Sequence, residues 1–212
     1  DAINDPDRPI PRGAVSPRGA LLFSVALFVG AIATTLVLPP LAIAIAAVNL
    51  LALVAYTEWF KGLPGLGNAV VACLGGSTFL FGGAAVGSVA ESGVLFALAA
   101  LSTLTREIIK DVEDMEGDRE EGLNTLPLAV GARPALVAGA VLLVAAVAAS
   151  PLPYLWATFG VAYLAVVAPA DAVMLYAAYE SFDDPSAGQT HLKYGMFLAA
   201  VAFVVGRGVT LL

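Results

Sequence analysis

REIIKDVEDMEGDREEGLNTLPLAVG, residues 106–131, is the densest run of charge in an otherwise apolar chain. On a helix turning about 100° per residue, Glu107, Asp111, Asp114 and Asp118 fall within an arc of roughly 60°. Glu113, Glu116 and Glu120 point elsewhere. Four carboxylates on one face repel, by about 0.2–0.5 kcal/mol per i,i+4 neighbour on a wet helix and more where water is scarce. A hard divalent cation relieves that repulsion, and Mg²⁺ takes oxygen ligands, usually one or two carboxylates plus substrate phosphates. Arg106 and Lys110 stand just ahead of the cluster, placed to bind phosphate oxygens directly. The plain alternative is a solvated acidic loop on the wet side of a membrane protein. The shared phase of the carboxylates, at the end of an apolar helix, weighs against it.

The rest of the chain is a greasy setting for this stretch. Of 212 residues, 59% are hydrophobic and 13% charged, and the mean hydropathy is +0.89. A soluble domain carries about 25% charged residues. Apolar runs of about 20 residues recur along the whole length, which predicts an all-α, polytopic transmembrane helical bundle. The lone Cys73 sits in an apolar run, so no disulfide framework forms, and the lone His191 makes a histidine metal site unattractive. A net charge of −7 argues against nucleic acid as a partner.

Seven spans are expected, at roughly 19–38, 41–57, 68–88, 93–110, 133–149, 154–179 and 192–211. With that count, every Lys and Arg except Arg207 falls on one side of the membrane. The positive-inside rule makes that side cytoplasmic. The polar segments 1–18, 56–68, 106–131 and 180–193 all gather there, as one polar chamber capping the bundle. The expected placement is multi-pass in the cell membrane, with the chamber facing the cytoplasm. Asp171, inside the sixth span, is a functional candidate by default.

Three segments carry a resemblance: DAINDPDRPIPRG at 1–13, Tyr56 with Lys61 and Gly67-Asn68, and KDVEDMEGDREEGLNTLPLAVG at 110–131. Together they resemble the UbiA-type intramembrane prenyltransferases, over the whole chain, and the wording is most similar to the archaeal ether-lipid branch. The resemblance implies nine transmembrane helices, two aspartate-rich motifs and Mg²⁺. Asp1 matches the last aspartate of the first motif, and Asn4, Asp7, Arg8 and Pro9 match the residues just after it. The chain is thus expected to be a single prenyltransferase domain over 1–212, N-terminally incomplete, with seven of nine helices. Asp5 and Arg12 depart from the family's usual basic and small residues.

For chemistry, the resemblance implies Mg²⁺-dependent transfer of a geranylgeranyl group from geranylgeranyl pyrophosphate to the hydroxyl of geranylgeranylglyceryl phosphate. The runner-up acceptor is an aromatic quinone or chlorophyll-type precursor. Asp1, Asp111, Asp114 and Asp118 are the expected metal ligands, the last three also catalytic. Arg8, Asn4, Tyr56, Lys61, Asn68 and Lys110 are the expected pyrophosphate- or substrate-binding residues. The partners are a prenyl pyrophosphate donor and a lipid-like acceptor. Plainer readings stand beside these: Lys61 and Arg8 as topology-setting charges, Tyr56 as an interfacial aromatic, Asn68 as a helix cap, His191 and Lys193 as markers of a helix start. A seven-helix transporter or retinal-type receptor is the distant alternative. It needs a lysine deep in the last span, or paired polar groups at mid-membrane, and only Asp171 qualifies.

Overall fold

A computed structural model describes residues 7–210, with side chains as far as Gly208. Every regular element among them is helical: α1 (Pro17–Thr35), α2 (Pro40–Ala55), a π-helical turn (Tyr56–Phe60), α3 (Leu66–Val86), α4 (Val89–Glu113), α5 (Met115–Glu120), α6 (Leu126–Val130), α7 (Ala132–Ala149), α8 (Leu152–Leu155), α9 (Val161–Glu180) and α10 (Pro185–Thr210). Local chemistry sets the ends. Ser16 caps α1 by accepting from the Gly19 N–H, with Pro17 behind it at the first helical position. Gly87, at φ 77°, closes α3 in the left-handed region where a side chain is strained.

Among the described residues, six stretches are long and apolar enough to cross a membrane: Pro17–Thr35, Pro40–Phe60, Leu66–Val86, Val89–Glu113, Ala132–Leu155 and Val161–Glu180. The seventh expected span lies within α10, whose opening turns carry Gln189, Thr190, His191 and Lys193. The expected span 154–179 begins later, at Val161. Pro151 and Pro153 start the short α8 instead, and Phe159 and Pro153 turn inward and are buried. The acidic stretch departs from one continuous helix too. α4 ends at Glu113, Asp114 leaves helical geometry with ψ near 3°, and α5 resumes at Met115.

Lipid tails are as apolar as leucine, so close backbone approach rather than hydrophobicity holds such a bundle together. α9 pairs most extensively with α10, and α3 with α4. On α10, Gly188 lies against Ser181, Gly195 against Met174, and Gly206 against Tyr163; none leaves room for a Cβ. Gly76 and Gly83, two turns apart on α3, lie against the Phe96 and Ser88 carbonyls of the α4 side. The Thr105 hydroxyl crosses from α4 to donate to the Gly139 carbonyl of α7 at 3.0 Å. Ile109, Leu136, Leu143, Met174, Ala177 and Leu192 fill the space between α4, α7, α9 and α10. A second core, of Leu98, Phe159, Tyr163, Val167 and Phe203, lies toward the other end. α1 packs mainly on α2 and buries none of its residues, as suits a lipid-facing helix.

The helices alternate in direction, so the segment after α2, the α4–α7 connection and the α9–α10 turn share one end. Contacts across these segments bear this out. The Asn124 N–H donates to the Gly62 carbonyl at 3.2 Å, and Arg106 donates to Gln189 at 3.1 Å. Three of the four expected polar segments, 56–68, 106–131 and 180–193, therefore meet at one end of the bundle.

Candidate active site

The chamber is built on a bond between two helices. Asn68 is the third residue of α3, and its Nδ2 donates to Asp111 Oδ2 at 2.7 Å. The helix-cap reading of Asn68 fails: Gly65 occupies that position, and the Asn68 side chain is buried against α4. Asp111 is fixed in turn by the last full turn of α4.

Tyr56 and Lys61 reach the same place through the π-helical turn. Its signature is the Lys61 N–H bonded to the Tyr56 carbonyl, five residues back, at 2.9 Å. Such turns are rare and cluster at functional sites. Gly67 makes room for it, since a Cβ there would press on the Phe60 carbonyl at 2.9 Å and on the Tyr56 ring at 3.5 Å. Tyr56, Lys61, Asn68, Glu107, Asp111 and Thr125 line a small cavity of about 20 Å³. That is room for a single water-sized species.

The remaining acidic residues stand around it. Lys110 Nζ bonds Asp114 Oδ2 at 2.7 Å, one turn along. Lys61 Nζ lies 3.7 Å from Glu121, both half exposed, so that pair contributes little to stability. Burial raises the Asp118 carboxyl above its ordinary value, and the charges of Asp114 and Glu121 raise it further; the Thr125 hydroxyl and Lys110 pull the other way. The Thr125 hydroxyl is itself buried, and its approach to Asp118 falls short of a full hydrogen bond. Asp118 is within electrostatic reach of Asp111.

The structure thus brings together Tyr56, Lys61, Asn68, Lys110, Asp111, Asp114 and Asp118. Arg8 lies in the exposed turns ahead of α1. Asp1 and Asn4 fall outside the described residues. Glu107 lines the cavity and accepts from Arg106 at 3.0 Å. Thr125 and Gln189 were not singled out from the sequence, where a threonine before Leu-Pro and a glutamine near a helix start carry no distinctive pattern.

Among the described residues, no three Asp, Glu, His or Cys side chains stand close enough to hold a cation alone. The donors fit one in part. They are hard oxygens, one carboxylate is pre-oriented by Asn68, and the Thr125 hydroxyl is buried without a partner beside a cavity of ion size. Further oxygens would have to come from substrate.

Behind this chamber a larger cavity of about 460 Å³ runs into the bundle. Its walls are mostly apolar, including Phe79, Leu98, Val167, Met196 and Phe203, with Arg106 and Lys193 among them. From Lys193 to Phe203 it extends about 15 Å along α10. Asp171 also lines it. Its Oδ2 accepts from Ser150 Oγ at 2.6 Å, its Oδ1 is buried without a partner, and Tyr163 Oη donates to the Ser150 carbonyl at 2.6 Å. Asp171 thus has a polar partner within the bundle, but it stands on the cavity wall, away from the acidic chamber's lining.

A profile of the UbiA prenyltransferase family matches residues 1–201. A digeranylgeranylglyceryl phosphate synthase of Natronomonas pharaonis is 64% identical over 98% of this chain and 75% of its own. One from Halobacterium salinarum is 63% identical over 99% and 76%, and one from Methanopyrus kandleri 44% over 96% and 76%. A solved structure, described as giving structural and mechanistic insight into digeranylgeranylglyceryl phosphate synthase in membranes, is 37% identical. It covers 98% of this chain and 76% of that one, with a TM-score of 0.75. An apolar helical bundle, an acidic chamber at one end and these likenesses lead to one conclusion: the chain belongs to the UbiA family of intramembrane prenyltransferases.

Proposed function

We propose that the chain transfers a geranylgeranyl group from geranylgeranyl pyrophosphate to the hydroxyl of geranylgeranylglyceryl phosphate, in the synthesis of archaeal ether lipids. The names of its relatives support this reading, at 59–64% identity across nearly all of the chain. The structural observation that carries it is the Asn68–Asp111 bond. It fixes a carboxylate in the small cavity that Lys61 also lines, within electrostatic reach of Lys110.

Lys61 and Lys110 bind diphosphate oxygens, Lys110 after parting from Asp114. Asp111 and Asp118, joined by Asp114 and Asp1, would hold a divalent cation, Mg²⁺ in this reading, which when bound would supply positive charge to the departing diphosphate. The allylic C–O bond breaks with both electrons going to that leaving group. Tyr56 presents its ring to the carbon left positive. The acceptor hydroxyl oxygen then forms the new C–O bond, and its proton passes to the released diphosphate. Apolar walls exclude water that would otherwise capture the carbocation. Asn4 and Arg8 belong to the donor side of the site on the strength of the motif alone. In this reading the chamber faces the cytoplasm from the cell membrane, a reading the positive-inside rule supports.

The test is to incubate the complete protein with Mg²⁺, geranylgeranyl pyrophosphate and a panel of acceptors, identifying products by mass. The expected product carries two geranylgeranyl chains on one glyceryl phosphate. Prenylation of an aromatic quinone precursor, with the glyceryl phosphate lipid untouched, would overturn the assignment.

A further inference from the structure

The two cavities differ in charge. The small chamber is acidic, with Glu107 and Asp111 against Lys61. It suits a diphosphate only with a cation between. The larger cavity has a basic rim. Arg106 donates through Nη1 to Glu107 at 3.0 Å and through Nη2 to Gln189 at 3.1 Å, while its Nε is buried without a partner. Gln189 and Lys193 are one turn apart on the same face of α10. Among the described residues Lys193 makes no ion pair; its Nζ lies 5.8 Å from the centre of the Tyr194 ring. Arg106 and Lys193 both line the cavity, whose other walls are overwhelmingly apolar. At about 460 Å³ it has the size of a small-ligand site.

A basic rim over an apolar shaft fits one kind of ligand: an amphiphile with an anionic head and a long hydrocarbon tail. We infer that Arg106 and Lys193, with Gln189 as the residue positioning Arg106, seat the phosphate monoester of the acceptor lipid, and that the cavity below holds its isoprenoid chain. This inference rests on the transfer reaction proposed above and adds which residues choose the acceptor. The Arg106–Glu107 bond joins this seat to the acidic chamber, so the two head groups sit on either side of a single ion pair. Glu107 and Gln189 both hold the guanidinium, and its buried Nε remains without a protein partner. The same cavity could instead hold the tail of the diphosphate donor, and the experiment separates these sources.

The complete protein in detergent, with Mg²⁺, is titrated with geranylgeranylglyceryl phosphate and separately with dephosphorylated geranylgeranylglycerol, reading binding directly. Donor and acceptor KM are measured in parallel. Lys193→Gln is expected to weaken binding of the phosphorylated lipid by about tenfold, the loss of one charge-assisted contact. Binding of the dephosphorylated lipid and donor KM stay within about twofold, and Lys193→Arg restores selectivity. Arg106→Gln should act in the same direction, but Lys193 is partly exposed and its variant does not depend on refilling a buried site. A rise in donor KM equal to that of the acceptor, or unchanged discrimination between the two lipids, overturns the assignment. Wild-type protein that binds the phosphorylated lipid selectively without prenylating it sinks the reaction and leaves the seat standing. Transfer that proceeds with no phosphate selectivity sinks the seat and leaves the reaction.

Discussion

Asn68 and Asp111 are 43 residues apart in the chain and share a 2.7 Å hydrogen bond that joins α3 to α4 inside the acidic chamber. The bond spends one carboxylate oxygen on orientation and leaves the other for a ligand. Asn68→Ala is expected to lower kcat/KM by about 10–100-fold, the usual effect of removing a group that orients a ligating side chain. Asn68→Asp should be worse, since it adds a like charge beside Asp111. Thermal melting in detergent checks that both variants fold; wild-type kcat/KM in Asn68→Ala would remove the bond from the mechanism.

Lys61 lies 3.7 Å from Glu121 with both side chains half exposed, so its loss costs the fold little. Its proposed partner is the diphosphate. Lys61→Ala is expected to raise donor KM by about tenfold, with acceptor KM and melting temperature nearly unchanged. Steady-state kinetics with each substrate varied in turn gives the answer. An unchanged donor KM would return Lys61 to the role of a topology-setting charge.

The bundle should be most sensitive where backbones touch. Gly195 faces Met174 and the Ala170 carbonyl with no space for a side chain. Gly195→Leu forces α9 and α10 apart, with a destabilisation of about 1–3 kcal/mol or more. Gly30, on lipid-facing α1, has open space within 4 Å of where a Cβ would stand, so Gly30→Ala should leave melting unchanged or slightly raised. Equal melting of the two variants would contradict the close-packing account.

Much of the fold was legible in the sequence. Apolar runs of bilayer length and one-sided basic residues were enough for a helical bundle with its polar segments at one end. The acidic stretch declared itself because carboxylates are costly beside lipid. Three features were hidden for physical reasons. The break at Asp114 leaves the spacing of Asp111, Asp114 and Asp118 untouched, so periodicity cannot register it. The late start of α9 comes from Pro153 and Phe159 turning inward, a packing outcome rather than a hydropathy one. Thr125 joins the chamber only because α5 and α6 fold back on the segment after α2. Asn68 was named from its motif, but its bond to Asp111 depends on how α3 meets α4.

The central claim is that Asp111 and Asp118 stabilise a leaving diphosphate through a divalent cation. The most direct measurement is pyrophosphate release from geranylgeranyl pyrophosphate by the complete protein across a Mg²⁺ titration, for wild type, Asp111→Asn and Asp118→Asn. Release by the wild type should vanish on chelation and return with Mg²⁺, while each variant falls by about 10²–10³-fold at saturating cation yet melts as the wild type does. Release that ignores chelation, or either variant running at the wild-type rate, would contradict it.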